Sequence, residues 1–174
     1  ILIKVNKMIN LKKLIYIEYF TLYIFCFFSI LIRGYKFGVS NHKDYLPQIF
    51  KIADNSLYNK DIIFKYTTEN SFFFYIIGKL SIYFNLEILM FILYLIFSFL
   101  FILAIFKISK LLFENRYISY IAIFLLIIPK PTLGTDQTFR IMTFPVTIAI
   151  PLLLFSLFYL LKNQFIPSFL LLGL

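Results

Sequence analysis

The chain has 174 residues, of which 61% are hydrophobic and 14% are charged, and its formal net charge is +9. Soluble domains carry about 45–50% apolar and about 25% charged residues, so this composition argues against a soluble globule. Basic residues cluster at the ends of apolar runs and form no separate basic stripe, which argues against nucleic-acid binding. A single cysteine, Cys26, excludes an intrachain disulfide.

Four apolar runs are predicted to cross a bilayer as helices, with a fifth beginning at the end of the sequence. In lipid every backbone amide must be satisfied within its own segment, so long uncharged runs indicate spanning helices. The third run is short and fits either a short span or a half-helix buried among its neighbours. The predicted spans are 14–32, 86–106, 117–128 and 141–161, with a truncated span at 165–174.

These runs predict an all-α, polytopic membrane protein with one membrane domain over residues 1–174. The chain begins without Met and stops inside an apolar run, so we expect it to be an N-terminal fragment of a larger protein. The first run is longer than a signal-peptide core, and no small-residue cleavage site follows it. We therefore expect an uncleaved first span.

The distribution of basic residues predicts a cytoplasmic N-terminus. With residues 1–13, 107–116 and 162–164 inside, Lys and Arg are about twice as dense there as in the outside segments 33–85 and 129–140, as the positive-inside rule requires. The loop at 33–85 is therefore expected to lie outside the cytoplasm.

The long outside loop is predicted to contain two amphipathic helices on the bilayer surface. In residues 42–53, apolar side chains recur at i, i+1, i+4, i+5 and i+8, and charged side chains occupy the other faces. Such a pattern is typical of an interfacial helix. Residues 71–84 repeat the arrangement, and a polar segment at 54–61 joins the two.

Polar residues of the outside loops are the candidates for chemistry, since the chain has no Gly-rich phosphate loop, metal-ligand spacing or nucleophile elbow. Asp44 can act as a general base that takes a proton from an acceptor hydroxyl. Alternatively, with Asn41 as N-cap, Asp44 stabilises the first helical turn without catalysis. Arg140 can hold a phosphate through two parallel hydrogen bonds, or it can simply reach toward lipid headgroups.

Two loop stretches resemble a known family. The first comprises residues 34–38 (GYKFG), 41–47 (NHKDYLP) and 54–61 (DNSLYNKD), and the second is residues 139–145 (FRIMTFP). They resemble the first external loop and a later Pro-Arg-(Thr)-x-x-Phe-Pro stretch of bacterial polytopic proteins related to the GT-C glycosyltransferases. Phe139 stands where that family has a proline.

The resemblance implies a multi-pass enzyme of the bacterial plasma membrane that transfers a sugar from a polyprenyl-phosphate donor at the outer face. Asp44 would then be the catalytic base and Arg140 a phosphate contact, with Asn41, His42 and Asp61 as further candidates for substrate binding. Membrane lipid and a polyprenyl-phosphate-linked sugar are the expected partners. The paired acidic residues of some GT-C branches are absent, so no cofactor is identified and a divalent metal stays open.

Two other functions remain open. A transporter or flippase would have its site near the bilayer midplane among broken helices, and here only Glu18 and Glu87, near span ends, are ionisable residues of the spans. A membrane scaffold without catalysis would tolerate the loss of every loop carboxylate. The glycosyltransferase is the leading prediction because of the two resembling stretches.

Overall fold

The computed structural model describes residues 2–39, 42–58, 60–61, 72–128, 143 and 145–173. In these ranges every regular element is a helix and no β-strand occurs, so the predicted all-α class is confirmed for them. The helices are α1 (Leu2–Arg33), α2 (His42–Ala53), α3 (Phe72–Ser81), α4 (Leu86–Phe113), α5 (Arg116–Ile127), α6 (Pro145–Leu161) and α7 (Phe165–Leu172).

Two segments are long and apolar enough to cross a membrane. They are Lys13–Ile32, within α1, and the whole of α4. With 28 residues, α4 is about 42 Å long, more than the roughly 30 Å of a hydrocarbon core. Shorter apolar helices are α3, α5 and α6. The described helices thus provide two candidate spans, and the four-span arrangement stays a prediction.

Both candidate spans are largely exposed. Only 17% of the apolar window of α1 and 33% of that of α4 is buried, whereas the core helix of a soluble protein is mostly buried. The exposed side of α1 carries bulky side chains at successive turns, namely Tyr16, Phe20, Tyr23, Phe27 and Leu31. A continuous apolar face of this length is typical of a surface that contacts lipid or another protein.

The chain divides into two compact units. The helical unit comprises α1, α4 from Leu95 onward, α5, α6 from Val146 onward, and α7. Among the described residues, the loop unit comprises the segment after Gly34, α2, α3, α4 up to Tyr94, Thr143 and Pro145. Each unit has its own hydrophobic cluster.

The core of the helical unit joins α1, α4 and α5. Its buried members are Leu22, Cys26, Ile102, Leu103, Phe106, Ile123 and Ile127. Near this core, the Lys110 ammonium donates to both carboxylate oxygens of Glu18, at 2.7 and 2.9 Å. Further along α1, the Tyr23 ring lies 6.1 Å from that of Phe99, which precedes Lys110 on α4. The two contacts together show that α1 and α4 run antiparallel.

Local sequence signals set several helix ends. Asn115 precedes α5, and its side chain accepts a hydrogen bond from the Tyr117 amide at 2.8 Å, as an N-cap does. Pro145 is the first residue of α6, a position where the missing N–H costs nothing. Gly173 follows α7 with φ of 74°, the left-handed conformation that favours glycine at a helix end.

The second predicted span differs from the helix in one respect. The prediction ended it at residue 106, before Lys107, whereas α4 continues to Phe113. Lysines are compatible with this last part of the helix because Lys110 is paired with Glu18 and the Lys107 ammonium lies over the Phe155 ring. These partners come from other helices, so they are invisible to a hydropathy pattern.

Candidate functional site

The two helices predicted for residues 42–53 and 71–84 are present as α2 and α3, and they pack on one another. Their shared core with the start of α4 contains Leu46, Ile49, Phe74, Ile77, Leu86 and Met90. The apolar face of α2 therefore packs largely against α3 and the start of α4. The position of these helices on a bilayer surface stays a prediction.

Gly78 allows α2 and α3 to approach closely. A β-carbon at this position would lie 2.6 Å from Ile52 Cγ2, 2.7 Å from Ile52 Cβ and 3.1 Å from the Ile49 carbonyl oxygen. Real β-carbons essentially never lie under 3.0 Å from such atoms, so only glycine fits without displacing Ile52. This contact fixes how α2, which carries Asp44, packs on α3.

His42, the first residue of α2, is a buried hydrogen-bonded residue. The Gly38 amide donates to Nδ1 at 3.1 Å, and Nε2 lies 2.9 Å from the Thr143 carbonyl oxygen. A carbonyl oxygen only accepts, so Nε2 carries the proton, Nδ1 accepts, and the ring is neutral. Burial lowers the pKa of His42, and the hydrogen bond to Thr143 acts in the opposite direction.

Thr143 extends this network to α4. Its side chain is buried, and its hydroxyl donates to the Met90 carbonyl oxygen at 2.7 Å. The His42–Thr143–Met90 chain thus connects α2, α4 and residue 143. In the sequence, His42 lies in the stretch 41–47 and Thr143 in the stretch 139–145. Sequence analysis did not single out Thr143 as a site residue. Its place in the stretch 139–145 was the one sequence feature that pointed to it.

Asp44 lies in the first turn of α2, two residues after the anchored His42. Its side chain is exposed, and no hydrogen bond or ion pair to its carboxylate occurs among the described residues. The carboxylate is therefore accessible to a substrate hydroxyl. The same position places a negative charge near the N-terminus of α2, where it stabilises the helix, so the structural alternative for Asp44 also stays open.

Of the remaining predicted site residues, the structure describes Asp61. Asp61 is partly buried in the turn after α2, and its amide donates to the Tyr58 carbonyl oxygen at 3.0 Å. Asn41 and Arg140 lie outside the described residues. Their predicted roles in substrate and phosphate binding, and the N-cap role of Asn41, therefore stay predictions.

Asp54 closes the turn that follows α2. One of its carboxylate oxygens, Oδ1, accepts hydrogen bonds from the Ser56 amide at 2.8 Å and the Ser56 hydroxyl at 2.7 Å. These bonds favour the charged carboxylate and lower the pKa of Asp54. Asp54 is thus an exposed acidic residue of the loop unit with a defined local role, which makes it a suitable comparison for Asp44.

Tyr35 lies in an aromatic cluster of the loop unit. The centroid of its ring is 5.1 Å from that of Phe91 and 5.0 Å from that of Tyr94. Burial raises the pKa of Tyr35 to about 12, so the phenol stays protonated at neutral pH and does not act as a base. A carboxylate is the better candidate for proton transfer in this unit.

The described residues form no candidate metal centre. In the ranges given above, no group of three or more His, Cys, Asp or Glu side chains is placed to hold a metal ion. Comparison of the chain with known proteins adds no assignment, since no family model, curated protein or solved structure matches it.

Proposed function

We propose that this chain is a multi-pass protein of a bacterial plasma membrane, with a cytoplasmic N-terminus, that transfers a sugar from a polyprenyl-phosphate donor at the outer face. The proposal follows the resemblance to the GT-C glycosyltransferases. The observation that carries it is an exposed carboxylate, Asp44, on a helical turn anchored by the buried His42.

Membrane insertion is supported by the exposed apolar surface of α1 and α4. The Glu18–Lys110 pair supports an antiparallel arrangement of these helices, in which the segment between them leaves the bilayer on one side. In the proposed topology α5 and α6 are two further spans. With 17 residues, α6 is at the lower end of the range of about 17–25 residues that can cross a bilayer.

The proposed reaction uses Asp44 as a general base. As the acceptor hydroxyl oxygen attacks the anomeric carbon of the sugar, the Asp44 carboxylate takes the hydroxyl proton. The bond between the anomeric carbon and the phosphate oxygen breaks, and the polyprenyl phosphate leaves with the bonding electron pair. His42 holds the turn that carries Asp44, while phosphate binding by Arg140 and substrate contacts by Asn41 and Asp61 are part of the proposal.

Asp44→Asn tests the proposed base. Membranes containing the full chain are incubated with a panel of radiolabelled polyprenyl-phosphate hexoses, and release of labelled sugar from the lipid is measured. We expect a loss of about 100-fold or more, the scale typical of general-base removal. Asp54→Asn is the matched control, since an amide oxygen still accepts from the Ser56 amide. Full transfer by Asp44→Asn would eliminate the assigned base.

The outer-face location has its own test. Lys43→Cys in a Cys26→Ser background is treated with a membrane-impermeant thiol reagent in intact cells. Lys43 is exposed, so labelling before lysis is expected, whereas Lys162→Cys should react only after lysis. Labelling of position 43 only in lysed cells contradicts the proposed topology.

A transporter or flippase is the second candidate function. The observation that favours it is the Glu18–Lys110 ion pair between the two candidate spans, because ionisable residues between spans can mark a transport path. For a transporter, Glu18→Gln abolishes substrate movement in reconstituted vesicles and Asp44→Asn leaves it unchanged. The glycosyltransferase predicts the opposite dependence for sugar transfer.

A further inference from the structure

Two lysines of the helical unit share one aromatic ring. The Lys107 ammonium, on α4, lies 5.7 Å from the centroid of the Phe158 ring, and the Lys162 ammonium lies 4.7 Å from it. Lys107 is also 5.6 Å from the centroid of Phe155, which is one turn earlier on α6. Attraction between a cation and an aromatic face holds both ammonium groups near the end of α6.

Neither ammonium is paired with a carboxylate among the described residues. The Lys107 and Lys162 ammonium groups lie 5.7 and 4.7 Å from the same ring centroid, so their charges act on each other. Like charges placed together repel, and Lys107 is also partly buried, so its charge is less well solvated than that of an exposed lysine. The pair thus concentrates positive charge without a neutralising group.

The end of α6 leaves these ammonium groups available. Backbone amides of the following turn donate to the Phe158, Tyr159 and Leu160 carbonyl oxygens at 2.8–3.2 Å. These carbonyls, which usually attract a nearby lysine at a helix C-terminus, therefore already have donors. The lysine ammonium groups keep hydrogen-bond donors for another acceptor.

We propose that Lys107, Lys162 and Phe158 form a binding site for a phosphate group at the lipid–water boundary. Lys107 directly follows the uncharged run that ends at Phe106, and Lys162 directly follows the apolar helix α6. Headgroup phosphates lie where apolar sequence ends, and basic pockets between helices bind such groups. A phosphate between the two ammonium groups would offset their repulsion through charge-assisted hydrogen bonds.

The phosphate can belong to an anionic lipid headgroup or to inorganic phosphate, and the two sources are distinguished by experiment. The full chain, purified in a neutral detergent, is titrated with phosphatidylglycerol and separately with inorganic phosphate, and adducts are counted by native mass spectrometry. Retention of phosphatidylglycerol alone identifies a headgroup site. Retention of inorganic phosphate identifies a site for the free anion.

The double variant Lys107→Gln/Lys162→Gln is expected to weaken binding of whichever probe is retained by about tenfold or more, the scale expected for two cations at a membrane surface. Lys36→Gln/Lys60→Gln, which removes two exposed lysines of the loop unit, is the charge-matched control. Lys107→Arg/Lys162→Arg keeps both charges and should retain binding. If the chain binds neither probe, or if the glutamine variant binds as tightly as the native chain, the proposal is overturned.

Two further variants distinguish loss of the phosphate site from misfolding and from loss of sugar transfer. The single variant Lys162→Gln changes an exposed residue outside any helix and should give a smaller loss if the double variant does not fold. Asp44→Asn should bind the probe normally, whatever its effect on sugar transfer. Failure of the phosphate site and failure of the proposed enzyme are thus distinguishable.

Discussion

Replacing His42 by alanine removes the connection between α2 and Thr143. The Gly38 amide and the Thr143 carbonyl would both lose their partner on the ring. An unsatisfied buried polar group costs about 1–3 kcal/mol, so two such groups predict a destabilisation of the loop unit by about 2–6 kcal/mol. Because Asp44 shares the first turn of α2, the position of its carboxylate should become less defined as well.

Hydrogen exchange of the full chain in detergent, read by mass spectrometry, measures this effect. A loss of about 2 kcal/mol corresponds to roughly 30-fold faster exchange for amides protected by the same opening. Peptides that cover Gly38 and α2 should show the increase, and those from α5 should not. His42→Gln, which can still donate to Thr143 through its amide, should lie between the native chain and His42→Ala.

Gln164 supplies a negative control, since its side chain is exposed and makes no capping hydrogen bond to α7. Gln164→Ala should leave exchange in the loop unit unchanged. If His42→Ala exchanges at the native rate around Gly38, the hydrogen-bond network does not hold this segment. The reasoning that makes His42 a structural anchor would then be refuted.

The same residue predicts a pH dependence. Burial lowers the pKa of His42 below its ordinary value of 6.5, so the unfolded state takes up a proton at higher pH than the folded state. The stabilisation is therefore complete above about pH 6.5 and is lost as pH falls through that value toward the lower folded pKa. A proton on Nδ1 would face the Gly38 amide. Protection of α2 should fall on acidification in the native chain, and this step should be absent in His42→Gln.

Three further substitutions test packing and helix ends. Gly78→Ala should destabilise the α2–α3 pair by about 1–3 kcal/mol through overpacking, measured as faster hydrogen exchange in α3. The double variant Gly78→Ala/Ile52→Ala should recover part of this loss. Equal stability of the native chain, the single variant and the double variant would exclude the close contact. The charge swap Glu18→Lys/Lys110→Glu should restore the detergent thermal stability lost in either single variant, and no recovery would mean that the pair is not formed. Asn115→Ala should cost about 1 kcal/mol by removing an N-cap, seen as faster exchange at the start of α5.

Short-range patterns in the sequence were sufficient for the helical elements. The uncharged runs predicted the apolar helices α4, α5 and α6, and the spacing of apolar residues predicted α2 and α3. These predictions succeed because hydrophobic periodicity and backbone hydrogen bonding operate within one segment. The exposed position of Asp44 also follows locally, since it lies on a face of α2 away from Leu46 and Ile49.

Tertiary structure alone decided which side chains meet. Sequence treated His42 as a candidate for substrate binding, and folding gives it a partner 101 positions away, the Thr143 carbonyl. The closeness of Gly78 to Ile52 and the pairing of Lys110 with Glu18 are likewise contacts between separate helices. Hydropathy assigns each helix an apolar face, but the register in which two faces pack depends on the shapes of both, so burial and pairing emerge only when the helices come together.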